Sequence, residues 1–243
     1  MGGVSPAPWD SLNLGANRGD SKESVAENFR RFCTAIGTDC NAVIKNRQVH
    51  SALVRPVYAE DIQPDLAASG IVEADGLVTD QPGLCLTVFS ADCIPILFYD
   101  PIQRVIAAVH AGWRGTAAGI AEKAVEAMVS GYGCKPEQIQ AAIGPGIGPC
   151  HFETHSDVPD ALTDALGSHA APLIHPRSNG KYQVDLKQAN ACFLRRAGLN
   201  PEHLAISDQC TACHPDEFWS HRLLGNTRGS MAAMIQLKTE NPT

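Results

Sequence analysis

Residues 84–115 read LCLTVFSADCIPILFYDPIQRVIAAVHAGWRG. Three short apolar runs lie in this stretch: LCLTVF at 84–89, IPILFY at 94–99 and RVIAAVH at 104–110. Each is rich in β-branched or aromatic residues and short for a helix, so each reads as a buried strand. The polar break SADC leaves Cys93 just before the second run, and His110 closes the third. After AGWRG comes TAAGIAEKAVEAMVSGYG at 116–133, with Ile120, Ala124 and Met128 at helical spacing. Thr116 is the expected N-cap, and Gly131 with Gly133 the expected stop. His110 is thereby placed at the mouth of a strand-to-helix turn.

Outward from that stretch, IQAAIGPGIGPC (139–150) reads as a strand entering a Gly/Pro loop, DLKQANACFLRRAGL (185–199) as a helix and HLAISDQC (203–210) as a strand. The elements alternate without repeats, low-complexity tracts or a linker, which predicts one mixed α and β domain over residues 1–243. The chain's 243 residues suit a single core. A net charge of -7, with 19 Lys plus Arg spread thinly, supplies no basic stripe, so no nucleic-acid partner is expected. No apolar run approaches the roughly 20 residues that span a bilayer, and MGGVSPAPWDSLNLG lacks the basic and apolar regions of a signal peptide. The expectation is no membrane partner and a cytoplasmic location. Nine dispersed cysteines then read as reduced thiols, some of them available to metal.

Cys210-x-x-Cys213-His214 spells a covalent haem site, but a cytoplasmic chain and a match of only three fixed residues argue against haem. Two zinc arrangements compete. In the first, His151-Phe152-Glu153 joins Cys210 and Cys213, a set that resembles the nucleobase-deaminase signature in which one His and two Cys hold zinc and the Glu moves protons. Gln209 stands where that signature has Pro, and the plainer reading is preferred: Cys210 ends a buried strand, while Cys213 and His214 lie in a surface loop. In the second, His50 of NRQVHS joins Cys93 and His110, whose strand ends converge if those strands are sheet neighbours. Three N/S donors with a fourth position open is the arrangement of a catalytic zinc. From the residues alone, Cys93 reads equally well as a nucleophile paired with His110.

Seven stretches in order settle the preference: GGVSPAPWDSLNLGANRGD, NRQVHS, ADGLVTDQPG, TVFSADCIPILFYDP, VHAGWRGTAAGI, IGPGIGPCHFE and DQCT with FWSHR. Together they resemble the YfiH or laccase-domain family of purine nucleoside phosphorylases, once called polyphenol oxidases, over nearly the whole chain. The resemblance implies an α+β fold with mixed β-sheets in a layered αββα sandwich. It implies zinc on His50, Cys93 and His110, with copper as the alternative occupant. It implies phosphorolysis of adenosine, inosine and methylthioadenosine, with adenosine deamination as a second activity. The expected partners are a purine nucleoside and phosphate, and a monomer is expected.

Within that reading Cys93, His110 and Arg222 are the candidate catalytic residues. Arg114 and Asn13 are candidate substrate contacts, and the helix start after AGWRG is a candidate phosphate anchor. Asp75 and Asp92 are candidates for fixing a histidine tautomer, and Trp113 for core or pocket wall. Family members usually carry a strand ending in Thr-Arg ahead of GGVS, and often read SYRR and TGRM where this chain has SHRLLGNTRGSM. Three rivals remain: a copper laccase oxidising phenols, a Cys93/His110 hydrolase acting on cell-wall precursors, and a non-enzymatic regulator. The nine histidines form no His-x-His pair, which argues against a multicopper cluster.

Overall fold

The three buried runs of the opening stretch all become strands, but they do not share one sheet. In the computed structural model, which describes residues 2–10 and 12–239, β1 is Val43–Lys45, β2 Val54–Pro56, β3 Gly76–Thr79, β4 Cys85–Ser90, β5 Ile94–Asp100 and β6 Val105–Ala111. There follow β7 (Gln140–Ile143), β8 (Glu153–Thr154), β9 (Ile174–Pro176), β10 (Tyr182–Val184), β11 (Leu204–Ile206) and β12 (Met231–Gln236). The helices are α1 (Lys22–Ile36), α2 (Trp113–Ala117), α3 (Ile120–Tyr132), α4 (Asp157–Leu166), α5 (Leu186–Arg196) and α6 (His221–Leu224).

A six-stranded mixed sheet has the order β11-β7-β5-β6-β3-β2, and a three-stranded sheet has the order β1-β4-β12. A small antiparallel sheet, β8-β10-β9, stands apart from both. Three apolar clusters set the layering. Val78, Ile96, Phe98 and Val109 of the large sheet pack with Ile120, Val125, Met128 and Phe193 of α3 and α5. Leu77, Ile106 and Ala108 meet Ile44, Leu86 and Val88 between the two sheets. Val25 and Phe29 of α1 cover Val43 and Cys85 on the far side. The order of layers is helix, sheet, sheet, helix, as an αββα sandwich requires. Because β5 and β6 are covered on both faces, they read as continuous apolar runs rather than alternating ones.

The chain crosses between sheets at residues 91–93, leaving the β1-β4-β12 sheet at Ser90 and entering the six-stranded one at Ile94. The predicted helix 116–133 is two helices. Gly119 (φ 74) adopts the left-handed conformation that a side chain resists, so α2 ends and α3 starts afresh. Thr116 is therefore inside α2 rather than an N-cap, and Gly131 lies within α3, which stops at Gly133. The helix start expected after AGWRG lies earlier, at Trp113 with Gly112 as N-cap, and the backbone N–H groups of Thr116, Ala118 and Gly119 donate to the Gly112, Arg114 and Thr116 carbonyls. Among the described residues no helix is long and apolar enough to cross a membrane.

Candidate active site

β5 and β6 pair antiparallel with Pro95 opposite His110 and Ile94 opposite Ala111. That register sets Cys93, one residue ahead of β5, beside His110. His50 arrives from the segment between β1 and β2, and the donor atoms of His50, Cys93 and His110 all lie within 4.8 Å of one another. Cys93 Sγ is 3.8 Å from His50 Nε2, and the two imidazoles meet edge to face at 4.9 Å.

Asp75, just ahead of β3 and 1% exposed, organises this group. Its Oδ1 is 2.8 Å from His110 Nδ1 and accepts the His50 N–H at 3.0 Å; its Oδ2 accepts the Ser51 N–H and hydroxyl, both at 2.7 Å. An ionised carboxylate there accepts the hydrogen bond from Nδ1–H, so that Nε2 is the His110 nitrogen turned toward Cys93. The same bonds hold His50 at φ 62, a left-handed conformation that an L-residue keeps only when its surroundings compel it. Gly112 completes the nest: a Cβ there would stand 2.5 Å from His50 Cδ2 and 3.3 Å from Cys93 Sγ. The glycine of HAGWRG is what admits the imidazole.

Burial by itself would keep Cys93 and His110 neutral, but their mutual attraction outweighs it. The thiol falls to about 6, helped by hydrogen bonds from both histidines, and the imidazole rises to about 9, held up also by Asp75. Burial likewise opposes ionisation of Asp75, yet its bonds from His110 and Ser51 bring it down to about 2. The donors thus favour an anionic sulfur beside two nitrogens, three ligands with room for a fourth. The set suits a divalent metal of borderline softness.

Two cavities meet at this group. The first, of about 200 Å³, has Arg18, Arg47, Gln48, Ser90 and Arg228 in its lining with His50 and Cys93. The second, of about 380 Å³, has Trp113, Ile147, Phe152 and Leu186 among its walls, with Arg114, Arg222 and Arg228. The floor of the first is pinned by buried Lys45, whose Nζ donates to the carbonyls of Asp65, Leu66 and Ala68 at 3.0, 2.9 and 2.8 Å.

The remaining candidates fare unequally. Arg114 faces the second cavity, its guanidinium 4.2 Å over the Trp113 ring. Arg222 reaches the same cavity, but two of its donors go to the carbonyls of His151 (2.7 Å) and Glu153 (3.1 Å), and its N–H goes to Asp92 Oδ2. It braces a loop. Asn13 is fully buried, donates to Asp20 and accepts from the N–H groups of Gly15 and Ser230, bonds that tie the framework together. The Asp92 carboxylate accepts from the Thr211 hydroxyl and from the Arg222 backbone N–H.

Arg228 was missed by the sequence reading, although it lies in the NTRGSM stretch singled out as unusual. Burial, then the neighbouring Arg18, lower its guanidinium to about 10, and among the described residues its buried Nε has no hydrogen-bond partner. A cation so placed, bordering both cavities, is a ready anion contact. The deaminase-like arrangement also changes. His151, Cys210 and Cys213 do come together, with Cys150 as a fourth member, so Cys213 is not isolated in a surface loop. Glu153 turns instead to Lys181 and Asn179, away from any proton-shuttling position.

Residues 1–238 match the family model described as "Multi-copper polyphenol oxidoreductase laccase". The chain is 36% identical over 241 residues to "Purine nucleoside phosphorylase YlmD" of Geobacillus stearothermophilus, covering 98% of this chain and 88% of that protein. It is 32% identical over 244 residues to "Purine nucleoside phosphorylase LACC1" of Homo sapiens, covering 98% of this chain but 54% of that longer protein. A crystal structure of Bacillus licheniformis hypothetical protein YfiH superposes with a TM-score of 0.93 at 32% identity, covering 98% of this chain and 90% of that one.

Proposed function

Since the chain belongs to the family described as multi-copper polyphenol oxidoreductase laccase, with relatives named purine nucleoside phosphorylase, we propose that it is a zinc-dependent purine nucleoside phosphorylase. Its substrates on this reading are adenosine, inosine and methylthioadenosine, with adenosine deamination as a second activity and the monomer as the working form. The observation that carries the reading is the three-donor group of His50, Cys93 and His110 at the junction of an arginine-lined cavity and an aromatic-walled one.

The aromatic walls Trp113 and Phe152 suit a flat purine, which stacks on rings at little cost. Arg228, with Arg18 beside it, suits phosphate, and its Nε gives the anion a donor that no group among the described residues claims. In phosphorolysis a phosphate oxygen bonds to the ribose C1′, the C1′–N9 bond breaks, and its electron pair leaves with the base. The ribose becomes cation-like on the way, so an anion held against it by Arg228 stabilises the transition state. Bound to His50, Cys93 and His110, zinc would supply Lewis acidity and a lowered water pKa, the property deamination needs. Asp75 keeps the His110 ring in the one orientation that presents Nε2.

A copper oxidase is disfavoured by the donor inventory. The two Cys/His clusters found among the described residues contribute three histidines between them, too few for a multicopper centre. The test is incubation with adenosine, with and without phosphate, followed by chromatography. Adenine formed only with phosphate supports phosphorolysis, and inosine supports deamination. No turnover of either, with robust phenol oxidation after copper loading, would overturn the proposal.

A further inference from the structure

The second Cys/His cluster takes no part in the reaction just described. Cys150 and His151 sit at the end of the Gly/Pro loop after β7, and Cys210 and Cys213 on the turn after β11. The two segments are stitched by a bridge between Gly146 and Cys210 and by the Thr211 N–H bonding to the Gly146 carbonyl. All four donor atoms lie within 4.8 Å of one another. Cys150 Sγ is 3.5 Å from Cys213 Sγ, and His151 Nδ1 is 3.4 Å from Cys213 Sγ and 3.7 Å from Cys210 Sγ.

We propose that Cys150, His151, Cys210 and Cys213 hold a structural zinc ion in a closed Cys3His site, distinct from the open group at His50, Cys93 and His110. Zinc–sulfur bonds of about 2.3 Å and zinc–nitrogen bonds of about 2.0–2.1 Å place tetrahedral ligands about 3.8 Å apart for S···S and about 3.6 Å for S···N. The two S···N separations, 3.4 and 3.7 Å, straddle the second value, and the S···S separation of 3.5 Å lies a little below the first. A disulfide would need its sulfurs at about 2.05 Å, so the present spacing is that of ligands, not of a bond.

The position of Gly148 matches as well. Gly148 donates its N–H to Cys210 Sγ at 3.1 Å, the kind of support that settles a thiolate ligand. Gly148 also leaves the space a ligand cage needs, since a Cβ there would stand 3.1 Å from Cys210 Cβ and 3.3 Å from Cys150 Sγ. Four protein donors close the coordination sphere, so this metal has no position for substrate. Its effect is to clamp the wall of the second cavity. The loop it fixes carries Ile147 and Phe152, His151 and Glu153 give their carbonyls to Arg222, and Thr211 holds Asp92 next to Cys93.

The test is metal content of protein purified under reducing conditions without added metal, which reads out independently of catalysis. Wild type is expected to carry two zinc ions per chain, Cys93→Ala one, and the Cys150→Ser/Cys213→Ser pair one. The triple variant should carry none. Cys150 and Cys213 are exposed, so their serine forms keep the packing. Cobalt loading of Cys93→Ala should give intense thiolate-to-metal absorption that the triple variant lacks. The proposal is overturned if Cys93→Ala retains no metal and shows no such absorption, if the serine pair still carries two ions, or if Cys150 and Cys213 are recovered as a disulfide in metal-free Cys93→Ala.

Discussion

The two Cys/His clusters are assembled from similar donors yet differ in what encloses them. At His50, Cys93 and His110 each donor comes from a different segment, and the supporting carboxylate of Asp75 is itself buried. At Cys150, His151, Cys210 and Cys213 the donors come in two sequence-local pairs on loops, Cys150 and Cys213 being exposed. The first group is held by the rigid antiparallel pairing of β5 and β6, which leaves one side open to two cavities. The second is held by loop backbone and has no vacant side. Precision placed on strands goes with chemistry, and closure placed on loops goes with scaffolding.

The strongest way to break this contrast is Cys93→Ala. It should lower phosphorolysis by more than about 100-fold, because losing only an outer partner of a metal ligand already costs about 10–100-fold. Phosphate-dependent release of adenine measures it, and activity near wild type would detach the open cluster from catalysis. Asp75→Asn comes next, with an expected loss of about 10–100-fold in activity or metal affinity. Metal titration of the variant checks this, since an amide in place of the carboxylate no longer dictates which His110 nitrogen carries the proton.

Arg228→Met should act on one substrate only. Losing a charge-assisted contact worth about 1.5–3 kcal/mol raises the KM for phosphate by about 10-fold or more, with the KM for adenosine little changed. An equal rise in both constants would move the anion site elsewhere. The smallest effect concerns metal-stripped protein. Cys93 drops from its ordinary 9.0 to about 6, whereas burial, then the neighbouring thiols, push Cys150 up to about 12. An acid with a lowered pKa is ionised over more of the pH range, so alkylation of Cys93 should be near its plateau at neutral pH and decline as pH falls through about 6. Cys150 should stay unreactive under the same conditions, as peptide mass analysis would read.

Much of this was legible from local pattern. The runs around residues 84–110 declared β4, β5 and β6 because strands covered on both faces must be apolar throughout. Asp185, as the N-cap accepting from Gln188, marks the start of α5 close to where the sequence places it. Other features were not legible. Gly119 breaks a helix that its neighbours would continue, and a glycine inside a helical pattern gives no advance sign of which way its φ will fall. Asn13 looked like a turn residue offered to a ligand. Only the fold shows its amide consumed by Asp20, Gly15 and Ser230.

The sequence by itself marked β4, β5, β6, β7 and β11 through local apolar runs, and its motifs carried the resemblance to the family and, through that resemblance, the choice of His50, Cys93 and His110. Tertiary structure alone decided that Arg228 faces both cavities, that Arg222 braces a loop, and that Cys150 joins His151, Cys210 and Cys213. Those relations join segments about 60 or more residues apart in sequence. Burial and the closing of loops through a common core, which no local pattern encodes, bring such segments together.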